Sequence, residues 1–258
     1  MLHLIDRYFI KKPRIREFVT KMLAGDSDQN VTLVGRDYLV HTLREHGYFR
    51  ASKLAQGCSL FRDEFPVLVH LAGVIRDGDT FLDVGANIGI FAVQIASLRA
   101  LYPNLKTYAF EPNPTTVVRL RANVESLGVM VFAVALSDRN GTLDFVEGAV
   151  SNVFSTVDNA SSYSITSRQE VCECRRLEDL SIQGDSLVMK VDVEGHEWEM
   201  LQGSLSLFQA KRVRAIYLDG FKDARVLPFL ESYEFRLLDG RTLAPATVQT
   251  RNLLAIKA

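Results

Sequence analysis

The stretch from Asp79 to Phe91 constrains the fold more than any other part of this chain. A short apolar run (Phe81, Leu82, Val84) meets the turn Gly85-Ala86-Asn87-Ile88-Gly89, and an apolar segment then continues to Leu101. Runs bounded in this way read as a buried strand followed by a helix. Strand, glycine turn and helix open a βαβ unit, which commits the chain to a mostly parallel sheet with crossover helices. About twenty residues further on, Tyr108-Ala-Phe-Glu111-Pro112 reads as a second strand ending in an acid, the spacing at which open α/β sheets hold an adenosine-type cofactor. The glycines follow Gly-x-Asn-x-Gly rather than Gly-x-Gly-x-x-Gly, so a dinucleotide is disfavoured and S-adenosylmethionine is the expected cofactor.

The rest of the chain fits that opening. Strands are expected at Thr80–Val84, Leu105–Phe110, Met130–Ala135, Leu187–Val193, Val213–Leu218, Glu234–Leu238 and Leu253–Ile256. Helices are expected at Ile88–Leu101, Pro114–Leu127, His196–Phe208 and Ala224–Ser232, with another over Asp63–Ile75 feeding the first sheet strand. The fold class is therefore α/β, a mostly parallel seven-stranded sheet with helices on both faces. Two short strands, Thr142–Glu147 and Val153–Val157, interrupt the alternation. Residues 1–62 read as an N-terminal extension of helices and a hairpin (Val31–Val34, Tyr38–Val40), and residues 63–258 as the cofactor-binding domain. In residues 1–24, Arg7, Lys11, Lys12, Arg14, Arg16 and Lys21 outnumber Asp6 and Glu17. Apolar residues from Leu4 to Met22 recur at helical spacing, broken by Pro13. A packed helical cap with a solvated basic face is the favoured reading, over peripheral membrane contact. The arm also makes a homodimer plausible.

Four groups of residues carry the chemistry. At the first turn, Gly85 and Gly89 permit a tight backbone path. Free amides at Ala86, Asn87 and the helix start suit the carboxylate of the cofactor, while Asp83 suits its ammonium. Glu111, stopped by Pro112, can accept both ribose hydroxyls. Ser137 or Asp138, at the third strand's end, can flank the adenine, although Ser-Asp-Arg-Asn-Gly is also turn chemistry. Lys190, Asp192 and Glu194 alternate onto one face near the end of a buried strand, and His196 follows Gly195. Charges are not buried there without a partner or a function. Asp192, Glu194 or His196 is the expected general base, and Lys190 would polarise an acceptor oxygen or hold Asp192. A divalent metal on Asp192, Glu194 and Asp219 is the less favoured device.

The chain has 258 residues, 47% hydrophobic and 24% charged, with a net charge of −1, which gives no electrostatic footprint for nucleic acid. Its three cysteines, Cys58, Cys172 and Cys174, make no disulfide framework and no paired zinc site. No apolar run is long enough to span a membrane, and no secretory signal is evident, so a cytoplasmic location is expected.

Asp83-x-Gly-Ala-Asn-x-Gly, Phe110-Glu-Pro-Asn-Pro, Val134-Ala-Leu-Ser-Asp and Lys190-Val-Asp-Val-Glu-Gly-His-Glu together resemble the FkbM family of S-adenosylmethionine-dependent methyltransferases. Arg176-Leu-Glu-Asp-Leu180 is similar to that family's Leu-Asp-Asp-Leu, with Glu178 in place of the first Asp. The resemblance covers about Phe65 to Gly203 well and the last third loosely. It implies a class I methyltransferase fold and O-methylation of a hydroxyl on a sugar, polysaccharide or natural-product scaffold. Asp83, Gly85 and Glu111 then correspond to cofactor contacts, and Lys190, Asp192, Glu194 and His196 face the acceptor. Acceptor choice is expected to lie in residues 1–62 and in a Ser-rich insert, 147–170, acting as a mobile lid. A non-sugar hydroxyl or an amine is the alternative acceptor. A non-catalytic scaffold and a nicotinamide oxidoreductase are the readings outside this class.

Overall fold

A computed structural model describes residues 13–53, 60–148, 154–156, 165–247 and 250–257. It opens with helix α1 (Pro13–Ala24), the hairpin β1 (Asp28–Leu33) and β2 (Arg36–His41), and helix α2 (His46–Lys53). A single π-helical turn at Leu60–Glu64 leads into α3 (Phe65–Val74). The periodic apolar residues expected before Pro13 lie outside the described residues. On α1, Phe18, Val19, Met22 and Leu23 are exposed, so the packed apolar face anticipated there is not seen among the described residues.

The anticipated unit follows as β3 (Thr80–Val84), α4 (Ile90–Ser97) and β4 (Lys106–Phe110), then α5 (Pro114–Val124) and β5 (Met130–Phe132). Asn113 caps α5 through its side-chain oxygen, which accepts from the amides of Thr115 and Thr116, with Pro114 at the first helical position. Beyond an interruption come β10 (Leu187–Val191), helices α6 (Glu197–Gln202) and α7 (Leu205–Gln209), β11 (Val213–Asp219), α8 (Val226–Ser232), β12 (Phe235–Asp239) and β13 (Asn252–Lys257). The sheet order is β12-β13-β11-β10-β3-β4-β5, with β13 antiparallel to both neighbours and the other pairs parallel. From β3 the chain builds outward through β4 and β5. It then returns to the other side of β3 with β10. Between β3 and β10 the crossovers diverge, opening a crevice at the carboxyl ends of those strands.

Three differences from the sequence reading have local causes. The single helix expected at His196–Phe208 is split. Gly203 lies so close to the backbone of Ser137 and Arg176 that only a glycine fits, and Ser204 caps back onto the Met200 carbonyl. The strand expected at Met130–Ala135 ends at Phe132, and Ala135–Leu136 (β6) joins a second sheet. That sheet, ordered β6-β9-β7-β8, consists of β7 (Gly141–Gly148), β8 (Phe154–Thr156) and β9 (Ile165–Arg175) in addition to β6. Residues 165–170 of the supposed lid thus belong to a strand paired along β7, and most of the remainder lies outside the described residues. Cys172 and Cys174 sit buried on one face of β9 with Ala135, Leu143 and Phe145, as small apolar side chains.

The N-terminal segment is fastened to the sheet domain. Val31, Leu33, Tyr38 and Val40 share one buried cluster with Ile88, Ala92 and Leu120. Asn123 on α5 bonds to both the amide and the carbonyl of Leu39 and to the Ile88 carbonyl. A buried Arg119–Glu45 ion pair at 2.6 Å ties α5 to the residue preceding α2. These contacts bring α2 and the turn at Leu60–Glu64 to the mouth of the crevice.

Candidate active site

The crevice is a cleft enclosing about 870 Å³ up to its open mouth, walled by the carboxyl ends of β3, β4, β10 and β11, the start of α4, residues of β6 and β7, and Tyr48 and Glu64 from the N-terminal segment. Gly85 is at φ +71°, and a Cβ there would overlap the backbone carbonyl of Asp192, so the ends of β3 and β10 touch through this residue. Asn87 is also left-handed, at φ +51°, a conformation that asparagine tolerates. Gly89, at φ +89°, is where the chain enters α4, close under Leu120.

Glu111 is nearly buried, and each of its carboxylate oxygens accepts a backbone amide: Oε2 from Asn87 and Oε1 from Asn113, both at 2.9 Å. Burial pushes its carboxyl up to about 7 against the pull of those two amides. Each oxygen keeps a further lone pair for the cleft. The second strand's acid is thus locked to the glycine turn, an arrangement that fixes where a ribose would lie. The Oδ1 of Asn87 is buried and has no partner among the described residues, which leaves it for a bound molecule. Ala86 and Pro112 complete this wall.

Asp83 behaves differently from the expectation. It is wholly buried and does not line the cleft. Its Oδ2 accepts the Ala92 amide at 2.9 Å in the first turn of α4, and its Oδ1 lies 3.6 Å from Lys190 Nζ. Burial raises its carboxyl despite that ammonium. Asp83 therefore braces the turn from beneath.

Ser137 and Asp138 also depart from their expected place. Ser137 is fully buried, and its hydroxyl contacts His196 Nε2 at 2.9 Å and Asp138 Oδ1 at 3.1 Å, while Asp138 faces outward beside Arg139. The cleft wall here is instead formed by Val134, Ala135 and Leu136, the residues at which the chain leaves the main sheet.

The fourth group does converge on the cleft. Lys190 pairs in register with Asp83 across β10 and β3, so the two side chains share a sheet face. Its ammonium donates to the Gly85 carbonyl at 2.9 Å, lies 3.4 Å from Asp192 Oδ2 and sits over the Phe91 ring. Burial alone would pull the ammonium down, but Asp192, Asp83, Asp219 and Glu64 outweigh it and hold the ammonium above its ordinary value. Glu194 reaches the cleft from a left-handed position at φ +53°, and burial raises its carboxyl to about 7. Burial likewise raises Asp219 at the end of β11. His196 lines the cleft, but its Nε2 faces Ser137 and its Nδ1 lies 3.6 Å from Glu199. No set of three metal-ligating side chains gathers among the described residues.

Two cleft residues carried no signal that sequence pattern could expose. Tyr48 on α2 donates its hydroxyl to Glu64 Oε2 at 3.2 Å, and both line the cleft together with Lys190 and Asp192. Burial raises the Glu64 carboxyl to about 7, with Lys190 and the Tyr48 hydrogen bond opposing it and Asp192 and Asp219 reinforcing it.

A switch-point crevice, an acid clamped to a glycine turn and a buried charge cluster at the next strand define an adenosyl-cofactor-binding α/β domain of the class I methyltransferase type. The Methyltransferase FkbM domain matches residues 83–237, well over half of the chain, and the chain belongs to that family. Among curated relatives, it is 32% identical to "Hexuronic acid methyltransferase AglP" of Haloferax volcanii over 58% of this chain and 59% of that protein. It is 43% identical to "2-O-methyltransferase NoeI" of Sinorhizobium fredii over 37% of this chain and 39% of that protein. It is 40% identical to "31-O-demethyl-FK506 methyltransferase FkbM" of Streptomyces tacrolimicus over 32% of each. The matched part of the chain thus spans from about a third to three fifths of these relatives' own lengths.

Proposed function

We propose that this chain is an S-adenosylmethionine-dependent O-methyltransferase whose acceptor is a sugar hydroxyl. The observation that carries the reading is the clamp of Glu111 onto the Asn87 amide, set beside a carboxylate-rich pocket in the same cleft. Gly85, Asn87 and Glu111 would hold the cofactor, and its sulfonium supplies an activated methyl group for in-line displacement. The protein's part is orientation and proton removal. The cleft walls fix the acceptor oxygen on one approach line, and an acidic side chain takes the proton from a hydroxyl that is a poor nucleophile. The sugar class is supported by the names of two relatives, which specify a hexuronic acid and a 2-O position. A polyketide-type acceptor, supported by the third name, is the alternative.

Calorimetric titration of S-adenosylmethionine and S-adenosylhomocysteine, with NAD as control, tests the first half. We expect binding of both, no binding of NAD, and a loss of at least about tenfold in Glu111→Ala. Folded protein that binds neither would overturn the reading. Transfer of labelled methyl to methyl glycosides of glucose, galactose, mannose and glucuronic acid tests the second half.

A further inference from the structure

The family match begins at residue 83, and of the groups it brings to this end of the sheet Asp83, Asp192 and His196 are already engaged, which leaves Glu194 and Asp219 as the rival carboxylates on the cleft wall. Asp83 is turned under the turn, Asp192 is ion-paired to Lys190, and both nitrogens of His196 face other side chains. Tyr48 and Glu64 lie before the matched region, yet both face the cleft. Glu64 ends the π-helical turn just ahead of α3, and Tyr48 comes from α2, which Arg119 and Asn123 secure through the hairpin. Two elements that are unconnected to the glycine turn in sequence therefore place a carboxylate and its orienting hydroxyl in the same cleft as Lys190.

We propose that Glu64 is the general base of the reaction, supplied by the N-terminal region, and that Tyr48 is a positioning residue that holds its carboxylate toward the acceptor. The inference rests on the methyltransferase reading above. In the step, the acceptor O–H bond breaks and its proton passes to a Glu64 oxygen. The acceptor oxygen keeps the electron pair and forms the bond to the methyl carbon, whose former bonding pair leaves with sulfur. Glu64 returns the proton to solvent through the open mouth. The pairing of a base with a third group that orients it is the arrangement that acid–base chemistry requires. Lys190 stabilises the ionised Glu64, while Asp192 and Asp219 oppose its ionisation. The result is a carboxyl of about 7, ionised in useful proportion near neutral pH and basic enough to accept a proton.

The test compares wild type with Glu64→Gln, Tyr48→Phe and Glu194→Gln. If wild type binds no S-adenosylmethionine, the methyltransferase reading fails and this inference falls with it; if it binds cofactor but methylates none of the four glycosides, only the sugar acceptor fails, and the same variants are compared on a polyketide-type hydroxyl. With an active wild type, Glu64→Gln is expected to bind cofactor normally and to lose on the order of a hundredfold or more in kcat. It should also lose the rise of kcat through neutral pH. Tyr48→Phe should keep that rise but move it to higher pH, because the lost hydrogen bond had favoured the ionised carboxyl. This variant also carries the test should Glu64→Gln fail to fold. Infrared titration of the protein without cofactor gives a second readout. One protonated-carboxyl band that disappears near neutral pH in wild type should be missing in Glu64→Gln. A kcat in Glu64→Gln within a few fold of wild type, a larger loss in Glu194→Gln, an unshifted profile in Tyr48→Phe, or identical infrared titrations would each overturn the proposal.

Discussion

Three glycines separate the two reasons a chain needs that residue, and they predict an ordering of stabilities. Gly78 is at φ +84° with nothing near the position of an added Cβ, so Gly78→Ala meets only backbone strain, about 1–2 kcal/mol. Gly203 has an ordinary φ of −74°, but its Cβ would overlap the Ser137 carbonyl, so Gly203→Ala meets only crowding, about 1–3 kcal/mol or more. Gly85 combines both, at φ +71° and against the Asp192 carbonyl. Backbone cannot rotate aside as a flexible side chain can. Gly85→Ala must therefore separate β3 from β10 where the Asp192 amide donates to Val84 at 3.0 Å. The two costs should roughly add, to about 3 kcal/mol or more. The same displacement moves the Lys190–Gly85 hydrogen bond and the Asn87 amide, so cofactor binding should vanish even where the variant still folds. Urea unfolding with a fixed m-value, together with calorimetric titration of S-adenosylmethionine, measures both. A Gly85→Ala protein no less stable than Gly78→Ala, and still binding, would refute close approach as the reason for the glycine.

Four further outcomes are expected. Glu64, Glu111, Glu194 and Glu197 are each raised by burial from 4.5 to about 7, so each favours the folded state in its protonated form. Stability without cofactor should therefore fall as pH rises through that window, by up to about 1.4 kcal/mol per unit for each group. The depressed Asp63, Asp77 and Asp239 contribute stability above 3.8 that is lost only as pH falls below it. Chemical denaturation across pH should thus show a maximum at about pH 4–5, and a flat or rising curve to pH 7 would be contrary. Lys190→Met leaves Asp83 buried without its cation and should cost about 3–5 kcal/mol, less in acid, where Asp83 can protonate. Ser137→Ala should leave the Kd for S-adenosylmethionine within about twofold of wild type, because its hydroxyl faces His196 and not the cleft; a larger change by calorimetry would return Ser137 to the adenine wall. Glu64, Glu111, Asp192, Glu194 and Asp219 outnumber Lys190 around the cleft, so neutral glycosides should exceed the glucuronide in kcat/KM by about tenfold or more, a preference that added salt narrows. A glucuronide preferred at low salt would contradict that reasoning.

What could be read from the sequence was what is settled within a few residues. Thr80 to Gly89 announces a strand and a turn because both depend on neighbours in the chain, and the α5 cap depends only on Asn113-Pro114. Glu111 was expected beside the turn for the same reason, as a strand-end acid at a regular distance from it, and its carboxylate accepts the Asn87 amide there. Ser137 faces His196 and not the cleft, a direction that sequence could not give because strand-end polar residues look alike there and its partner lies 59 residues further along the chain. Asp83 shows a similar limit. Its position was right, but whether a carboxylate at the foot of a turn serves a ligand or the Ala92 amide is decided by packing in three dimensions. Residues 165–170 were read as a lid because polar composition signals a loop, whereas in a sheet with a solvated face the pairing partner overrides that signal. Tyr48 and Glu64 were beyond reach altogether. Neither belongs to a motif, and their approach to Lys190 depends on Asn123 gripping Leu39 across 84 residues of chain. The part of the site built by the glycine turn is local and legible, whereas the part proposed to face the acceptor is assembled by long-range contacts. Substrate choice can then change through the N-terminal region while the cofactor turn stays as it is.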